Sequence, residues 1–456
     1  MTASAPLHSV PAPPRPERRL VIVVRADPVI CGHSGEARNL AEVARTRGFD
    51  DVRIVTWPID RLREAGLPLK PLDSVLPYSD GITVERPEPV GDYKVPDGRF
   101  LAGMTGRLVE LFSDGVPTVA MSLYLTPHAT VVEEARHIAR FSGRPTDVTT
   151  IAEAVGSDIT NVVRSCVAAG NCGAAAAVLT TYLSSDHCVA VSEYTRELII
   201  DAAEEVDRTS GTRFAESCRQ RIAISYPAID STEYIDLDDA TIDRAAARRG
   251  LRRDGYVFFL SRLTAAKGVD DLIDGFAASE ARRSVQLVVA GTGPEAEKLR
   301  QRAAASPASD RIVFFDDVGD AEKPALMAGC ATYALPSKPR PEFVETFGIA
   351  LVEKLLAGGG PVITTATGGI PEAVGEHATI VPVDDPAAIA AAIDDAVLRL
   401  GPSARRRRAA AARQFALQFD RTAVFDRLFQ RLECTPLSGA PALLGGQRYG
   451  VMSMSG

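Results

Sequence analysis

Residues 256–268 read YVFFLSRLTAAKG. The first five residues are aromatic, β-branched or aliphatic, a composition that predicts a strand buried in a parallel sheet. Arg262 and Lys267 follow on a loop, and Gly268 gives the backbone room to turn into a helix. Such a loop lies at the mouth of a sheet, where a pyrophosphate would meet fixed cations and helix N–H groups. The same residues also fit an exposed loop with two surface cations.

The alternation of strand and helix continues downstream of this stretch. Short apolar runs predict further strands at residues 285–290, 311–315, 332–335, 361–364 and 378–381. Helices are expected between them, notably at residues 269–276 and 295–304. Strands alternating with helices at this spacing predict a doubly wound parallel sheet.

The N-terminal half shows the same alternation. A strand at residues 20–24, a helix ending at Gly48 and a strand at residues 51–56 form a βαβ unit. Residues 118–122 and 188–192 are expected as later strands of that sheet. The fold class is therefore α/β, with two doubly wound parallel-sheet (Rossmann-like) domains. These domains are expected to face a cleft where the carboxyl ends of their strands meet.

The composition sets the domain boundaries. We expect flexible tails at residues 1–18 and 435–456, an N-terminal domain at 19–235 and a polar linker at 236–254. The C-terminal domain is expected at 255–404, followed by a helix at 405–434 that packs back toward the N-terminal domain. The four arginines at 405–408 are expected at a solvated helix start, since their flanks are rich in alanine.

Charge and cysteine content exclude several classes of protein. A net charge of −8 argues against a nucleic-acid binder, which needs a basic face to neutralise phosphates. The seven cysteines are odd in number and lack zinc-ligand spacing, so reduced thiols in a cytoplasm are expected. The Pro-rich N-terminus has no apolar core, and no segment is long and apolar enough for stable membrane insertion. The oligomeric state is left open.

A second motif lies at residues 345–353, which read ETFGIALVE. Glu353 is expected one or two turns into a helix, within reach of a ribose diol, and Glu345 near the start of that helix. Three backbone amides are expected to point at the same anion as Lys267, those of Phe347, Gly348 and Ile349. A pair of exposed helix carboxylates would show the same spacing.

These two motifs belong to a longer series that resembles a known family. The series continues with 290-AGTGP-294, Pro336-Ser337 and 367-TGGIPE-372. In order and spacing it is similar to the family-4 retaining glycosyltransferases, which have the GT-B fold. The resemblance implies a nucleotide-sugar-binding C-terminal domain and an acceptor-binding N-terminal domain.

The resemblance also implies a role for each residue of the C-terminal motifs. Arg262 and Lys267 would hold the donor diphosphate and take part in catalysis. Glu345 would contact the donor sugar and Glu353 the nucleotide ribose. The loop at residues 316–318, with Val318, would lie beside the base.

The N-terminal half departs from the family pattern. Cys31-Gly32 stands where the family has two glycines, so Gly32 alone is expected near the donor phosphate, unless loop geometry alone requires it. Family members carry a histidine near the reacting carbon after a mid-domain strand. His128 lies a few residues beyond that place, and His33 on the glycine loop is an equal candidate.

The function implied is retaining, hexosyltransferase-like transfer from a UDP- or GDP-sugar to a small-molecule acceptor, with no metal and no further cofactor. The Ala/Arg/Gly-rich composition resembles actinobacterial enzymes of antibiotic biosynthesis. A thiol acceptor such as ergothioneine, as in a lincosamide-type pathway, would need no base because a thiolate is already nucleophilic. Two alternatives are a nucleotide-sugar epimerase of the same fold and a non-catalytic nucleotide-sugar-binding subunit.

Overall fold

The computed structural model describes residues 16–341 and 343–434, and within them thirteen strands form two sheets. The strands are β1 (Arg19–Val23), β2 (Asp51–Val55), β3 (Ile82–Glu85), β4 (Thr118–Leu123), β5 (Val148–Ala154), β6 (His187–Ala190), β7 (Ile222–Ile224), β8 (Tyr256–Leu260), β9 (Gln286–Ala290), β10 (Ile312–Phe315), β11 (Thr332–Leu335), β12 (Val362–Thr364) and β13 (Ala378–Ile380).

The α-helices connect these strands and cover both faces of each sheet. They are α1 (Gly32–Thr46), α2 (Ile59–Glu64), α3 (Pro96–Phe112), α4 (Thr130–Phe141), α5 (Ser165–Ala168), α6 (Cys172–Ser184), α7 (Glu193–Ser210), α8 (Phe214–Arg221), α9 (Thr232–Ile235), α10 (Asp239–Arg248), α11 (Val269–Ala278), α12 (Ala296–Ala304), α13 (Lys323–Gly329), α14 (Ile349–Ala357), α15 (Ile370–Val374), α16 (Pro386–Asp394), α17 (Pro402–Ala416) and α18 (Arg421–Cys434).

Both sheets are parallel and both reverse their strand order once. The first runs β3-β2-β1-β4-β5-β6-β7 and the second β10-β9-β8-β11-β12-β13. The reversals lie between β1 and β4 and between β8 and β11, the places where doubly wound sheets bind ligands beyond the carboxyl ends of the strands. The predicted α/β class with two Rossmann-like domains is confirmed.

The chain crosses between the domains earlier than the predicted linker at 236–254. Ala228 packs in the N-terminal core and Ile229 in the C-terminal core. The predicted linker instead contains α10, whose Ile242 and Ala245 are buried in the C-terminal domain. The side chain of Asp238 caps this helix by accepting a hydrogen bond from the Thr241 amide at 2.6 Å. Polar composition concealed a short amphipathic helix.

The region predicted as one helix at 405–434 forms two. α17 packs against α14 in the C-terminal domain, and only α18 returns to the N-terminal domain, where it packs on α1. Phe49 meets Phe425 and Phe429 there with ring centroids 6.2 and 5.4 Å apart. Asp420 lies between the two helices. Its backbone forms an isolated parallel β-bridge with Ile229, where the chain first crosses between the domains.

The predicted tails fall largely beyond the described residues. Residues 1–15 and 435–456 lie outside them. Residues 17 and 18 are held to the domain, because the amides of Glu17 and Arg18 donate to the Asp50 carboxylate at 2.9 and 3.0 Å. None of the helices within 16–341 and 343–434 has the length and apolar character that crossing a membrane requires.

Candidate functional site

The two switch points face one cavity between the domains. This cleft cavity has a volume of about 550 Å³ and is lined by residues of both sheets' loops. Arg25 and Gly32 come from the loop and helix that follow β1, and Arg262 comes from the loop that follows β8. Ile349 and Glu353 come from α14. Three distant stretches of the sequence therefore meet at one site.

Arg262 is an exposed cation on the wall of the cleft cavity. Its guanidinium has no hydrogen-bond or ion-pair partner in the part of the chain that the structure describes. Its loop is fixed from below, since the Leu263 amide donates to the Thr292 carbonyl at 2.8 Å. A Cβ at Gly293 would lie 2.3 Å from the Leu263 carbonyl oxygen, so this glycine lets the 290–294 turn support the loop. Arg262 is thus held on a rigid loop with its charge uncompensated.

Lys267 and Glu345 form an ion pair with each other. The side chains are 9% and 13% exposed, and neither residue lines the cleft cavity. Gly268, with φ +67°, brings the loop close to the next strand's end, because a Cβ there would lie 2.0 Å from the Pro336 carbonyl oxygen. The structure brings these two predicted residues together and neutralises their charges.

Glu353, in the second turn of α14, is also paired. Its carboxylate accepts a hydrogen bond from Lys323 Nζ at 2.8 Å, and both residues line the cleft cavity. Burial lowers the pKa of Lys323, but the carboxylates of Glu353, Asp320 and Glu233 together outweigh burial and the net pKa is raised. Burial, followed by Glu353, raises the pKa of Tyr234, another lining residue. A ribose hydroxyl at this place would meet a carboxylate, an ammonium and a phenol.

The N-terminus of α14 approaches the N-terminal domain closely. Gly348 caps it with φ +106°, and Phe347 before it is buried, its ring 5.1 Å from that of Phe419. A Cβ at Gly32 would lie 2.8 Å from Ile349 Cδ1, so the glycine at the start of α1 allows the two helices to meet. The first N–H groups of a helix have no partner within it, so both helices offer donors at this contact.

Residues 243–415 match the family model described as Glycosyl transferases group 1. The matched range contains Arg262, Lys267, Glu345 and Glu353 in the arrangement just described. The matched segment is called the group 1 domain, after the family model that it resembles. The fold around it is GT-B, as the resemblance implied.

Several curated proteins from actinobacteria are similar to part of this chain. The GDP-mannose-dependent alpha-(1-6)-phosphatidylinositol monomannoside mannosyltransferase of Mycolicibacterium smegmatis is 32% identical over 203 residues, 43% of this chain and 52% of that protein. The D-inositol 3-phosphate glycosyltransferase of Streptomyces avermitilis is 29% identical, over 47% of each chain. The 2-deoxystreptamine glucosyltransferase of Streptomyces kanamyceticus is 28% identical, over 37% of this chain and 43% of that one. This chain matches about half of the length of these mannosyltransferases.

Solved structures extend the likeness to both domains. Anabaena Alr3699/HepE in complex with UDP and glucose superposes with a TM-score of 0.65 at 18% identity, over 91% of this chain and all of that one. WaaG, a glycosyltransferase involved in lipopolysaccharide biosynthesis, gives a TM-score of 0.59 at 15% identity, over 92% of this chain and all of that one. At these identities the likeness concerns the fold.

Val318 is the predicted base-side residue of the group 1 domain. It is half-buried on the loop between β10 and α13 and packs against the domain core. Its neighbour Asp317 pairs with Arg249 at 2.7 Å. Asp320, on the same loop, lines the cleft cavity and binds Lys70 of the N-terminal domain at 2.6 Å. Val318 itself is not among the lining residues.

The two candidate histidines lie outside the group 1 domain and differ in their surroundings. Both ring nitrogens of His128 are used within the protein, since Nδ1 lies 2.8 Å from the Leu123 carbonyl and Nε2 accepts from Trp57 Nε1 at 3.1 Å. Burial lowers the pKa of His128 to about 4, so the ring is neutral. This arrangement leaves His128 no free nitrogen for proton transfer. In His33, Nδ1 is buried without a partner among the described residues, and burial lowers the pKa of this histidine to about 4 as well.

Sequence reasoning missed three lining residues of the cleft cavity. Arg25 is half-buried two residues after β1, and Lys323 opens α13 beside Glu353. Glu36 on α1 is buried against Glu153 of β5, and burial raises the pKa of both carboxyls, that of Glu36 to about 8. The available signal for Arg25 was its place directly after the first strand. Lys323 and Glu36 gave no such signal, because their partners Glu353 and Glu153 are distant in the sequence.

Proposed function

We propose that the protein transfers a sugar from a nucleotide-diphosphate sugar to an acceptor. The observation that carries this proposal is Arg262, an uncompensated guanidinium held on a rigid loop in the same cavity as the first turn of α14. A diphosphate is the anion that such a loop and a helix N-terminus suit together. Relatives named as GDP-mannose-dependent and a neighbour solved with UDP support a GDP- or UDP-linked donor.

In the proposed donor complex the predicted residues divide the donor between them. Arg262 and the amides of Phe347, Gly348 and Ile349 hold the diphosphate, with Gly32 allowing the close approach of α1. Glu353 accepts a hydrogen bond from the ribose, supported by its position beside Lys323 on the cavity wall. Lys267 and Glu345 serve the phosphate and the sugar by exchanging their mutual ion pair for donor contacts. The loop carrying Val318 faces the base.

The proposed reaction retains the anomeric configuration and needs neither a metal nor a further cofactor. The bond from the anomeric carbon to the diphosphate oxygen breaks while the bond to the acceptor atom forms on the same face. The departing phosphate takes the acceptor's proton, so no protein base is required. This scheme accommodates a His128 ring whose nitrogens are both occupied. Cations fixed at the leaving group stabilise its growing charge, and losing one such contact typically costs about 3 kcal/mol of barrier.

Calorimetric titration with UDP, GDP, ADP and dTDP tests this proposal. We expect one nucleotide to bind the wild type, and Arg262→Ala to weaken that binding at least about tenfold because a charge-assisted contact is removed. Arg244→Ala, at an exposed arginine of α10 that lines no part of the cleft cavity, is the matched control. Equal affinities of the Arg262→Ala and Arg244→Ala proteins would contradict the diphosphate site.

Incubation with the matching nucleotide sugar separates the two alternatives. An epimerase would convert the nucleotide sugar to its epimer without an acceptor, and a non-catalytic binding subunit would bind it without turnover. A transferase releases nucleoside diphosphate and forms a new glycoside, so mass spectrometry of the products distinguishes all three.

We infer that the acceptor is a small molecule of a cytoplasmic biosynthetic pathway, and we include antibiotic biosynthesis and a thiol such as ergothioneine in this proposal. A relative named 2-deoxystreptamine glucosyltransferase supports a small acceptor. Six of the cysteines are free thiols, which suits a reducing compartment; they are Cys31, Cys166, Cys172, Cys188, Cys218 and Cys330. Formation of an S-linked product from ergothioneine, resistant to reagents that trap free thiols, would support the thiol acceptor. Transfer to hydroxyl compounds alone would contradict it.

A further inference from the structure

We propose that Arg25 binds an anionic group, a phosphate or a carboxylate, carried by the acceptor. Arg25 lies two residues beyond β1, at the switch point of the N-terminal sheet, and lines the cleft cavity from the wall opposite the group 1 domain. The inference rests on the proposed function, because it assigns this wall to the acceptor. It adds a chemical class of acceptor that the family match leaves open.

Arg25 is a half-buried guanidinium without a counter-ion. Among the described residues it has no ion-pair or hydrogen-bond partner for its side chain. Its Cζ lies 5.1 Å from the centroid of the Tyr124 ring, a cation–π contact that orients the group and leaves its donors free. A partly desolvated charge without a partner is unfavourable, so a bound anion would complete the site.

Asp27, two residues along the chain from Arg25, and Asp158, which interacts with Tyr124, are both already hydrogen-bonded elsewhere. Asp27 accepts from Arg38 Nε at 3.1 Å and from the Tyr78 hydroxyl at 3.0 Å. Asp158, beside Tyr124, accepts hydrogen bonds from four backbone amides at 3.0–3.3 Å, those of Leu125, Val155, Gly156 and Ile159. Neither carboxylate is available to neutralise Arg25.

The other cations of the cleft cavity are neutralised, with one exception. Arg38 pairs with Asp27 at 3.0 Å, Lys70 with Asp320 at 2.6 Å and Lys323 with Glu353 at 2.8 Å. The exception is Arg262, which the proposed function assigns to the donor. The two free guanidinium groups thus come one from each domain, as expected for two anionic ligand groups in one cleft.

The histidines beside Arg25 add no positive charge. His33 and His128 both interact with Arg25 electrostatically and both are neutral, their pKa values lowered to about 4 by burial. His33, which interacts electrostatically with Arg25 and His128, also has a buried Nδ1 without a hydrogen-bond partner among the described residues. The pocket therefore offers one fixed positive charge, which suits one phosphate or one carboxylate.

The test uses the full chain saturated with the nucleoside diphosphate that binds it, so that the donor's anion site is filled. Inorganic phosphate and acetate are titrated separately at constant ionic strength, with the melting temperature as the readout of binding. Wild type, Arg25→Ala, Arg25→Lys and the surface control Arg244→Ala are compared. We expect one anion to bind, at least about tenfold more weakly in Arg25→Ala and within a few-fold of wild type in Arg25→Lys. The anion that binds distinguishes a phosphate from a carboxylate.

Three outcomes would overturn the inference. The first is that neither anion stabilises the wild-type complex, and the second is that Arg25→Ala binds the anion as wild type does. The third is that Arg25→Ala weakens the nucleotide itself as much as Arg262→Ala, which would place Arg25 on the donor and leave the proposed function intact. A wild type that binds no nucleotide would instead refute the proposed function, and the inference with it.

Discussion

Arg262 and Lys267 lie on one loop but occupy different electrostatic states. Arg262 is exposed and unpaired in the described structure, whereas Lys267 is nearly buried against Glu345. A buried charge is tolerated when its partner is in place, so the Lys267–Glu345 pair is a condition of the loop's stability. Removing either member alone therefore changes stability as well as ligand binding.

We predict that Lys267→Met destabilises the protein by about 3–5 kcal/mol, because it leaves the Glu345 carboxylate nearly buried and unpaired. The double variant Lys267→Met/Glu345→Gln should recover much of this loss. The exposed Arg302–Asp274 pair, at 45% and 40% exposure, is the control, and Arg302→Met should cost less than about 1 kcal/mol. Urea unfolding measures all four proteins. Equal losses in Lys267→Met and Arg302→Met would refute the buried pair.

Gly268 gives a second prediction. Its φ of +67° and that of Gly250, +69°, are nearly the same, but a Cβ at Gly268 would lie 2.0 Å from the Pro336 carbonyl oxygen and one at Gly250 would meet open space. Gly250→Ala should cost about 1–2 kcal/mol, the backbone strain alone. Gly268→Ala should cost clearly more, and it should weaken nucleotide binding by displacing Arg262. Similar unfolding midpoints for the two variants would show that the close contact does not matter.

Helix α1 and strand β5 meet through a buried carboxyl pair. Glu36 accepts a hydrogen bond from the Ala228 amide at 3.2 Å through one oxygen. Its other oxygen and both oxygens of Glu153 are buried without a hydrogen-bond partner among the described residues, and the two carboxyls interact electrostatically. Two buried carboxyls are compatible only while they share a proton. The protonated carboxyl pair therefore fixes the Glu36 side chain, whose hydrogen bond from the Ala228 amide holds the chain where it first crosses between the domains.

This pair should make stability depend on pH. Burial raises the pKa of Glu36 to about 8, above its value in the unfolded chain, so the folded state binds the proton more tightly. Stability is then fully present in acid and is lost as the pH rises through 8, by up to about 1.4 kcal/mol per pH unit for one proton. Urea unfolding between pH 6.5 and 8 should show this decline in the wild type. The pKa values of His33 and His128, lowered from 6.5 to about 4, make stability fall as the pH decreases through that range, which lies below this window.

Glu36→Gln should flatten the decline, since the amide keeps the Ala228 contact and donates to Glu153. Glu297→Gln, at an exposed carboxylate of α12, should leave the slope as in the wild type. A Glu36→Gln protein with the wild-type slope would exclude the carboxyl pair as the source.

The whole molecule is closed by polar contacts that flank the proposed donor site. The Glu372 carboxylate caps α7 across the cleft, accepting from the amides of Glu193 and Tyr194 at 2.8 and 3.0 Å. Ser192 Oγ donates to the Thr346 carbonyl at 2.6 Å, next to Glu345. Thr346 lies between Glu345 and Phe347, which are assigned to the donor. The segment around Thr346 therefore takes part both in holding the two domains together and in binding the donor.

We predict that Glu372→Ala opens the ligand-free molecule. The variant removes both amide contacts and the favourable charge at the N-terminus of α7, so small-angle scattering should show a larger radius of gyration. Each domain keeps its own core, and the unfolding midpoint should change little. Glu376→Ala, at an exposed carboxylate of the same domain, is the control. An unchanged radius in Glu372→Ala would exclude this contact as a determinant of closure.

The sequence by itself determined the α/β class, the presence of two parallel sheets and the order of the C-terminal motifs. These properties follow from local patterns, since buried parallel strands appear as short apolar runs and loops that bind anions combine glycine with cations. Strand β5 escaped prediction because it carries the half-buried Thr149 and the buried Thr150 and Glu153. Asp186, 36 residues further along the chain, accepts hydrogen bonds from Thr150, and the local sequence pattern does not indicate this partner.

Only the tertiary structure decided which charges are paired. Lys267 with Glu345, Glu353 with Lys323 and Glu36 with Glu153 are each joined across 30 or more residues of chain. The crossing at Ala228 and Ile229 was likewise fixed by which core each side chain enters. Ion pairing and core membership depend on distances in space, so the free guanidinium groups of Arg25 and Arg262 became visible only once every other charge had been placed.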